Sequence, residues 1–456
     1  MKHGTQVQDM TRGSCMGHLL RFAFPLLCGS LLQQLYNMVD SWVVGRYVGD
    51  AALAAVGMGF PVMLMYSSLF IGISTGATVM IAQFFGAGHM EQTKDVVDTI
   101  YTTFTAVILP MTLLAAALVK PLLSLMRTDS EVLPDAFLYL LIIAVGSIGS
   151  LGYNLNAGIL QGLGNSRSTL LFLAVASVLN ILLDLLFVPV LGMGVEGVAI
   201  ATILSQLASW LAGVAYINKF YPEVRIHLFH RHFDRDLFQK IISIGLPHGL
   251  QMALVSFGIM LVYSQVNTFG KEFSAGYNVG TKVDNLSFLA VQAIGSAATA
   301  FTGQNMGAER LDRVRTGVRD TLLLGVGWTA LSAALVVPLR DSIVGLFTDS
   351  PAAIEAGALY IRCILPYYGL FAIMFCLNAV MRGAGESIVP LLISVFGTIL
   401  IRVLAVAWLA ESYGAEYMYY GYTIGHLVAA VLAVAYYFSG RWKRKGSLAK
   451  GNSEIL

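Results

Sequence analysis

Long apolar runs, broken by short clusters of charged and turn-forming residues, organise this chain from one end to the other. Read against the turn signals, the runs predict twelve helices, beginning near residues 18, 53, 95, 134, 167, 193, 237, 274, 315, 354, 387 and 418. Crossing the hydrocarbon core of a bilayer takes roughly 20 apolar residues per helix. The expected fold class is therefore all-α, a polytopic membrane protein of twelve transmembrane helices in two pseudo-symmetric six-helix bundles.

The two bundles follow from an internal repeat at an offset of about 221 residues. Phe24-Pro25-Leu26 faces Leu246-Pro247-His248, and the block ATVMIAQFFGA from Ala77 faces ATAFTGQNMGA from Ala298. Tyr139 faces Tyr360, Leu155-Asn156-Ala157 faces Leu377-Asn378-Ala379, and GLGNS from Gly162 faces GAGES from Gly383. Six helices per copy is an even number, so both copies enter from the same side and the repeat is parallel, about an axis along the membrane normal. The expected organisation is an N-terminal lobe over 1–217, a cytoplasmic linker over 218–236, a C-terminal lobe over 237–440 and a basic cytoplasmic tail over 441–456. The paired prolines, Pro25 and Pro247, remove a backbone donor and permit helix bending at equivalent places.

Composition excludes other classes. Of 456 residues 57% are hydrophobic and 12% charged, where a soluble domain carries about 25% charged residues; a soluble enzyme, a disordered chain and a nucleic-acid binder are all excluded. With the N-terminus inside, twenty of the 28 Lys and Arg fall on the cytoplasmic side, and only Arg46, Lys120, Arg127, Lys271 and Arg340 fall in outside loops. That bias places both termini in the cytoplasm of a multi-pass inner (plasma) membrane protein. The first helix has no cleavage signal after it and is expected to stay as the insertion signal. Four cysteines without C-x-x-C spacing imply neither a disulfide framework nor a thiolate metal site.

Carboxylates at membrane depth are costly and point to function. Asp40 in helix 1 and Asp184 in helix 5 reach similar depth, Asn180 lies one turn before Asp184, and Thr202 enters from the outer end of helix 6. Two carboxylates with neutral oxygens suit a shared proton or a hard cation such as Na⁺, and no metal beyond Na⁺ at Asp40 and Asp184 is expected. The second half has no such pair, since Val262 and the 404–407 region occupy the facing positions. Gln33, Gln34, Tyr36, Asn37, Met252, Met260 and Asp284 are candidate substrate-cleft residues, the abundant Met and aromatic side chains suiting lipophilic cations. Lys282 and Arg402, with Asp284, have no evident structural role.

The stretch LYNMVDSWVVGRYVGDAALAAVG (35–57), the repeated A-T-x-x-x-[AG]-Q-x-x-G-A blocks and the QGLGNS and RGAGES turns resemble the multidrug and toxic-compound extrusion (MATE) family over nearly the whole chain. The resemblance implies a pump that exports drugs or organic cations by alternating access in exchange for H⁺ or Na⁺, working in the lipid bilayer as a monomer without an organic cofactor. It places ion coupling on Asp40, Asn180, Asp184 and Thr202, adds Tyr139 and Asn156 of helix 4, and puts the bending of helix 1 at Pro25. The chain departs from the NorM branch, whose acids in helices 7 and 10 it lacks, and is closer to DinF-like and MepA-like pumps. The alternative reading is a flippase for lipid-linked envelope precursors of the same superfamily, which would carry extra helices and a more cationic cleft. An intramembrane enzyme would need a catalytic motif such as H-E-x-x-H or G-x-S-x-G, and neither is present.

Overall fold

The computed structural model describes residues 8–125, 128, 130–228 and 232–445. The expected all-α fold is the fold observed. The first half runs α1 (Cys15–Tyr47), α2 (Asp50–Gly86), α3 (Met90–Leu125), α4 (Leu133–Gly162), α5 (Ser166–Leu185) and α6 (Val195–Phe220). In the second half come α7 (Arg235–Asn267), α8 (Lys271–Gly307), α9 (Leu311–Val336) and the short α10 (Arg340–Gly345). The tenth predicted span is divided into α11 (Pro351–Ile364) and α12 (Tyr368–Gly383) by a 3₁₀ turn at Leu365–Tyr367, where Pro366 withholds a donor. The eleventh joins α13 (Ile388–Ile393) to α14 (Arg402–Tyr413) through a π-helical stretch, Ser394–Ile401; α15 (Ala415–Met418) and α16 (Tyr420–Ser439) complete the chain's long elements.

Among the described residues eleven helical spans are long and apolar enough to cross a membrane. The twelfth long helix, α9, carries Arg313, Arg315, Arg319 and Asp320 in its first turns and is free of charge from Thr321 onward.

The repeat is visible in the backbone. α1 and α7 each have 33 residues, and α2 and α8 each have 37. The turn after α4 needs a left-handed residue, Gly164 at φ +83°, and its counterpart is Gly385 at φ +89°. Thr78 Oγ1 donates to Gly158 O at 3.0 Å, and Thr299 Oγ1 donates to Ala379 O at the same distance. The following helix is capped by a side chain in both copies. Asn165 Oδ1 accepts from Ser168 N at 3.0 Å, and Glu386 Oε1 accepts from Ile388 N at 3.1 Å.

By contact the chain forms two compact units. One runs Pro25–Leu246, and the other joins Asp9–Phe24 to the chain from Pro247 onward. The transitions coincide with the two prolines, each inside a continuous helix. In the first unit α4 packs against both α2 and α6 because it presents glycines to them: a Cβ at Gly149 would stand 2.7 Å from Leu207 N. The linker is held to this unit, with Asn218 clamping both backbone groups of Ile226 at 2.7 and 3.0 Å. In the second unit Arg313 donates to Met10 O and Gly13 O, each at 2.8 Å, and fixes the segment that leads into α1. Of the expected basic tail, residues 446–456 lie outside the described residues.

Candidate ion-coupling site

Asp40 and Asp184 each sit late in a long apolar helix, on the face turned away from exposed neighbours such as Met38, Trp42, Leu182 and Leu185. Asp40 on α1 is 8% exposed and Asp184 in the last turn of α5 is fully buried. Their carboxyls lie within hydrogen-bonding range of each other. Two carboxyls can be joined by a hydrogen bond only when one of them holds a proton. Asp40 Oδ1, both Asp184 oxygens and the Asn180 Oδ1 are buried and receive no hydrogen bond from the protein. Asn180 donates from Nδ2 to Thr202 Oγ1 at 3.5 Å, and Thr202 in turn donates to Val198 O at 3.0 Å. The Tyr139 and Tyr36 side chains interact electrostatically with Asp40. The result is a pocket with no internal cation in which these four acceptor atoms receive no hydrogen bond, which is costly unless a proton or cation enters.

Two surroundings define access. One is dry: Val43 and Val44 of α1, Ala52 of α2, Val188 in the turn after α5, and Val195 and Val198 of α6 form a buried cluster, with Tyr139 packed on it. The other is a cavity of about 320 Å³ that shares Tyr36, Asn180 and Thr202 with the site. Among the described residues its lining is mostly polar side chains and includes no charged one. The Tyr36 hydroxyl reaches the Gln33 and Gln206 amides across it. Chemically, the arrangement can take a proton or a small hard cation from a cavity lined by polar side chains into an anionic pocket.

The structure brings Asp40, Asn180, Asp184 and Thr202 together, with Tyr139 beside them. Asn156 lies elsewhere. It accepts a short hydrogen bond from the Tyr101 hydroxyl and donates to Trp210 O at 2.9 Å, so both ends of its amide are engaged in packing α3, α4 and α6. Of the candidate cleft residues Gln33, Tyr36 and Asn37 line the cavity, whereas Gln34 does not. Met252, Met260 and Asp284 belong to the second unit; Met260 is 60% exposed, and Asp284 is bound by the Tyr360 hydroxyl at 3.0 Å. Where the first unit has its carboxyl pair, the second has Val262 and Val406, both buried in one apolar cluster. Ser150, Tyr153 and Asn154 on α4 and Ser205, Gln206 and Ser209 on α6 also line the cavity and were not anticipated. Their signal was available, since Thr202, Ser205, Gln206 and Ser209 repeat at helical spacing and make a polar stripe on an otherwise apolar span.

The family description MatE matches this chain twice, at residues 25–186 and 247–408, so that each copy begins at one of the two prolines. The chain belongs to the MatE family. It is thus a multi-pass membrane protein of the MATE multidrug efflux transporters. The probable multidrug resistance protein YpnP of Bacillus subtilis is 28% identical over 95% of this chain and 97% of its own length. The probable multidrug resistance protein NorM of Thermotoga maritima is 26% identical over 95% and 94%. A solved outward-facing multidrug resistance MATE family transporter of the MOP superfamily matches the fold with a TM-score of 0.89, 24% identity and coverage of 99% of this MatE chain and 100% of the other.

Proposed function

We propose that this MatE protein is a secondary active antiporter that exports lipophilic or cationic small molecules in exchange for H⁺ or Na⁺ by alternating access. It works in the plasma membrane as a monomer with both termini cytoplasmic. The observation that carries the reading is the buried carboxyl pair of Asp40 and Asp184, three of whose four oxygens receive no hydrogen bond, beside Asn180 and Thr202 on the wall of a cavity lined by polar side chains. A site that is costly without a cation, with a polar cavity beside it, is what gradient coupling requires. No organic cofactor is needed, because the coupling ion itself supplies the driving force: one elementary charge crossing 100 mV is worth about 2.3 kcal/mol. The family relatives named as multidrug resistance proteins support the substrate class.

The experiment is efflux of a fluorescent lipophilic cation from proteoliposomes under an imposed pH gradient or an imposed Na⁺ gradient. One gradient drives uphill transport in the wild type, which names the ion, and Asp40→Asn or Asp184→Asn abolishes it in folded protein. Normal pumping by both variants would remove this pair from the mechanism.

A further inference from the structure

The second unit holds a half-buried aspartate and a buried arginine to which the N-terminal site assigns no role. Asp284 stands on α8, and its Oδ2 accepts from the Tyr360 hydroxyl of α11 at 3.0 Å. The Tyr368 hydroxyl, at the start of α12, lies close to the same carboxyl. Oδ1 is buried and receives no hydrogen bond. Arg402 opens α14 immediately after the π-helical stretch and is 4% exposed. Its guanidinium lies over the Tyr422 ring at 5.0 Å from the centroid, while Nε and Nη2 find no acceptor. The two charges interact electrostatically, yet they form no ion pair within 4.0 Å among those of the described residues.

The place of the arginine is built into the fold. A Cβ at Gly258 of α7 would stand 3.0 Å from Arg402 Nη2, and one at Gly425 of α16 would stand 2.7 Å from Arg402 Cβ. The remaining titratable groups around the pair are tyrosines and one histidine. Tyr277 on α8 bonds Tyr422 on α16, hydroxyl to hydroxyl at 2.8 Å, and His426 on α16 packs against the Tyr422 and Tyr368 rings. Lys282, two residues from Asp284, is exposed and sits 6.0 Å from the Phe347 ring centroid.

We propose that Asp284, with Arg402 as a counter-charge supplied by the chain, is a second proton-binding site of this transporter, confined to the C-terminal unit and indifferent to Na⁺. Arginine stays charged throughout the working pH range. An ionised Asp284 balances it to no net charge; a neutral Asp284 leaves it alone. Neither form is free of cost, since one buries two charges that do not touch and the other buries an unpaired guanidinium. A carboxyl so balanced can be switched by its surroundings. The Asp40–Asp184 pair carries surplus negative charge that a proton or a metal cation can neutralise. At Asp284 the cation is already present as Arg402, so Na⁺ finds no surplus charge and the proton is the ligand that remains. Proton binding here strips Arg402 of its counter-charge next to Ser394–Ile401, and π-helical turns are frequent at functional sites.

The test is infrared difference spectroscopy of the purified full chain between alkaline and acidic buffer, in the Asp40→Asn/Asp184→Asn background that silences the N-terminal site. A protonated-carboxyl carbonyl band develops on acidification, is the same in Na⁺ and K⁺ salts, and is lost in the additional variant Asp284→Asn. Arg402→Gln leaves the band present across the whole range, no longer titrating. Gel filtration and circular dichroism establish that each variant is folded, and Tyr360→Phe, which removes one donor but no charge, keeps a titrating band. Absence of the band in the silenced background, its persistence in Asp284→Asn, or its suppression by Na⁺ would each overturn the assignment, without bearing on coupling at Asp40 and Asp184.

Discussion

Asp184→Asn should stabilise the cation-free form of the protein while disabling it. In the wild type two buried carboxyls share a site in which three of their four oxygens receive no hydrogen bond from the protein. Two unit charges about 4 Å apart repel by about 4 kcal/mol at an effective dielectric constant of roughly 20. That repulsion acts only on the form holding neither a proton nor a metal cation, which an alkaline buffer with a bulky organic cation as its salt populates. The substitution removes the repulsion, and the introduced amide can donate to Asp40, a contact worth about 1–3 kcal/mol with a charged acceptor. Some of this sum is lost to imperfect geometry and to neighbouring acceptors left as they were. A net gain of roughly 2–4 kcal/mol remains, set by those two terms. The assay is thermal unfolding of the purified protein in detergent, followed by tryptophan fluorescence. If Na⁺ is the coupling ion, raising it to a hundred times its dissociation constant stabilises the wild type by about 2.7 kcal/mol and leaves the variant nearly unmoved. If the ion is H⁺, return to neutral pH has that selective effect instead. A variant less stable than wild type in the cation-free alkaline buffer, with an undiminished response to Na⁺ and to pH, would refute the reasoning.

Three further outcomes follow from the packing. Asn156→Ala should lower stability by roughly 1–3 kcal/mol through the unpaired Tyr101 hydroxyl and Trp210 carbonyl, with the cation response of thermal unfolding retained, which separates a packing residue from a coupling one. Gly149→Val should cost about 1–3 kcal/mol or more by forcing α4 away from the Leu207 backbone, read as a lowered unfolding temperature and as reduced yield of monodisperse protein. Val406→Asp, which plants a carboxyl at the repeat counterpart of Asp184 and one helical turn from Arg402, whose Nε and Nη2 find no acceptor, should cost less than the several kcal/mol of a lone buried carboxylate, and adding Arg402→Gln should restore the full cost in the same thermal assay; equal unfolding temperatures with and without Arg402 would mean the two charges do not meet.

The parts of this fold that could be read from sequence are those in which the bilayer leaves few choices. A lipid-facing backbone must satisfy its own hydrogen bonds, so long apolar runs can only be helices, and α1 to α9 fall where the runs predicted them. Asp40 and Asp184 stood out because charge at depth is rare and expensive. For Asn156 the sequence leaves the choice open, because an amide inside a membrane bundle serves packing as readily as chemistry, and its partners in the fold are Tyr101 and Trp210. The division of the eleventh span by Ser394–Ile401 left no readable trace, since a π-helical turn changes the backbone register without demanding a particular residue. The compact units meet the chain at Pro25 and Pro247, and which part of a continuous helix joins which unit depends on contacts that no local pattern encodes.

As coupling residues, Asp40 and Asp184 would together hold the ion and give it up when substrate binds. The most direct test of that role is ion release from purified protein on addition of a transported organic cation, with protons followed by a dye in weak buffer and Na⁺ by displacement of a radioactive tracer. The wild type should release one kind of ion in proportion to substrate bound, and Asp40→Asn and Asp184→Asn should release none while remaining folded. Substrate binding that displaces neither ion from the wild type, or displaces the same amount from both variants, would contradict it.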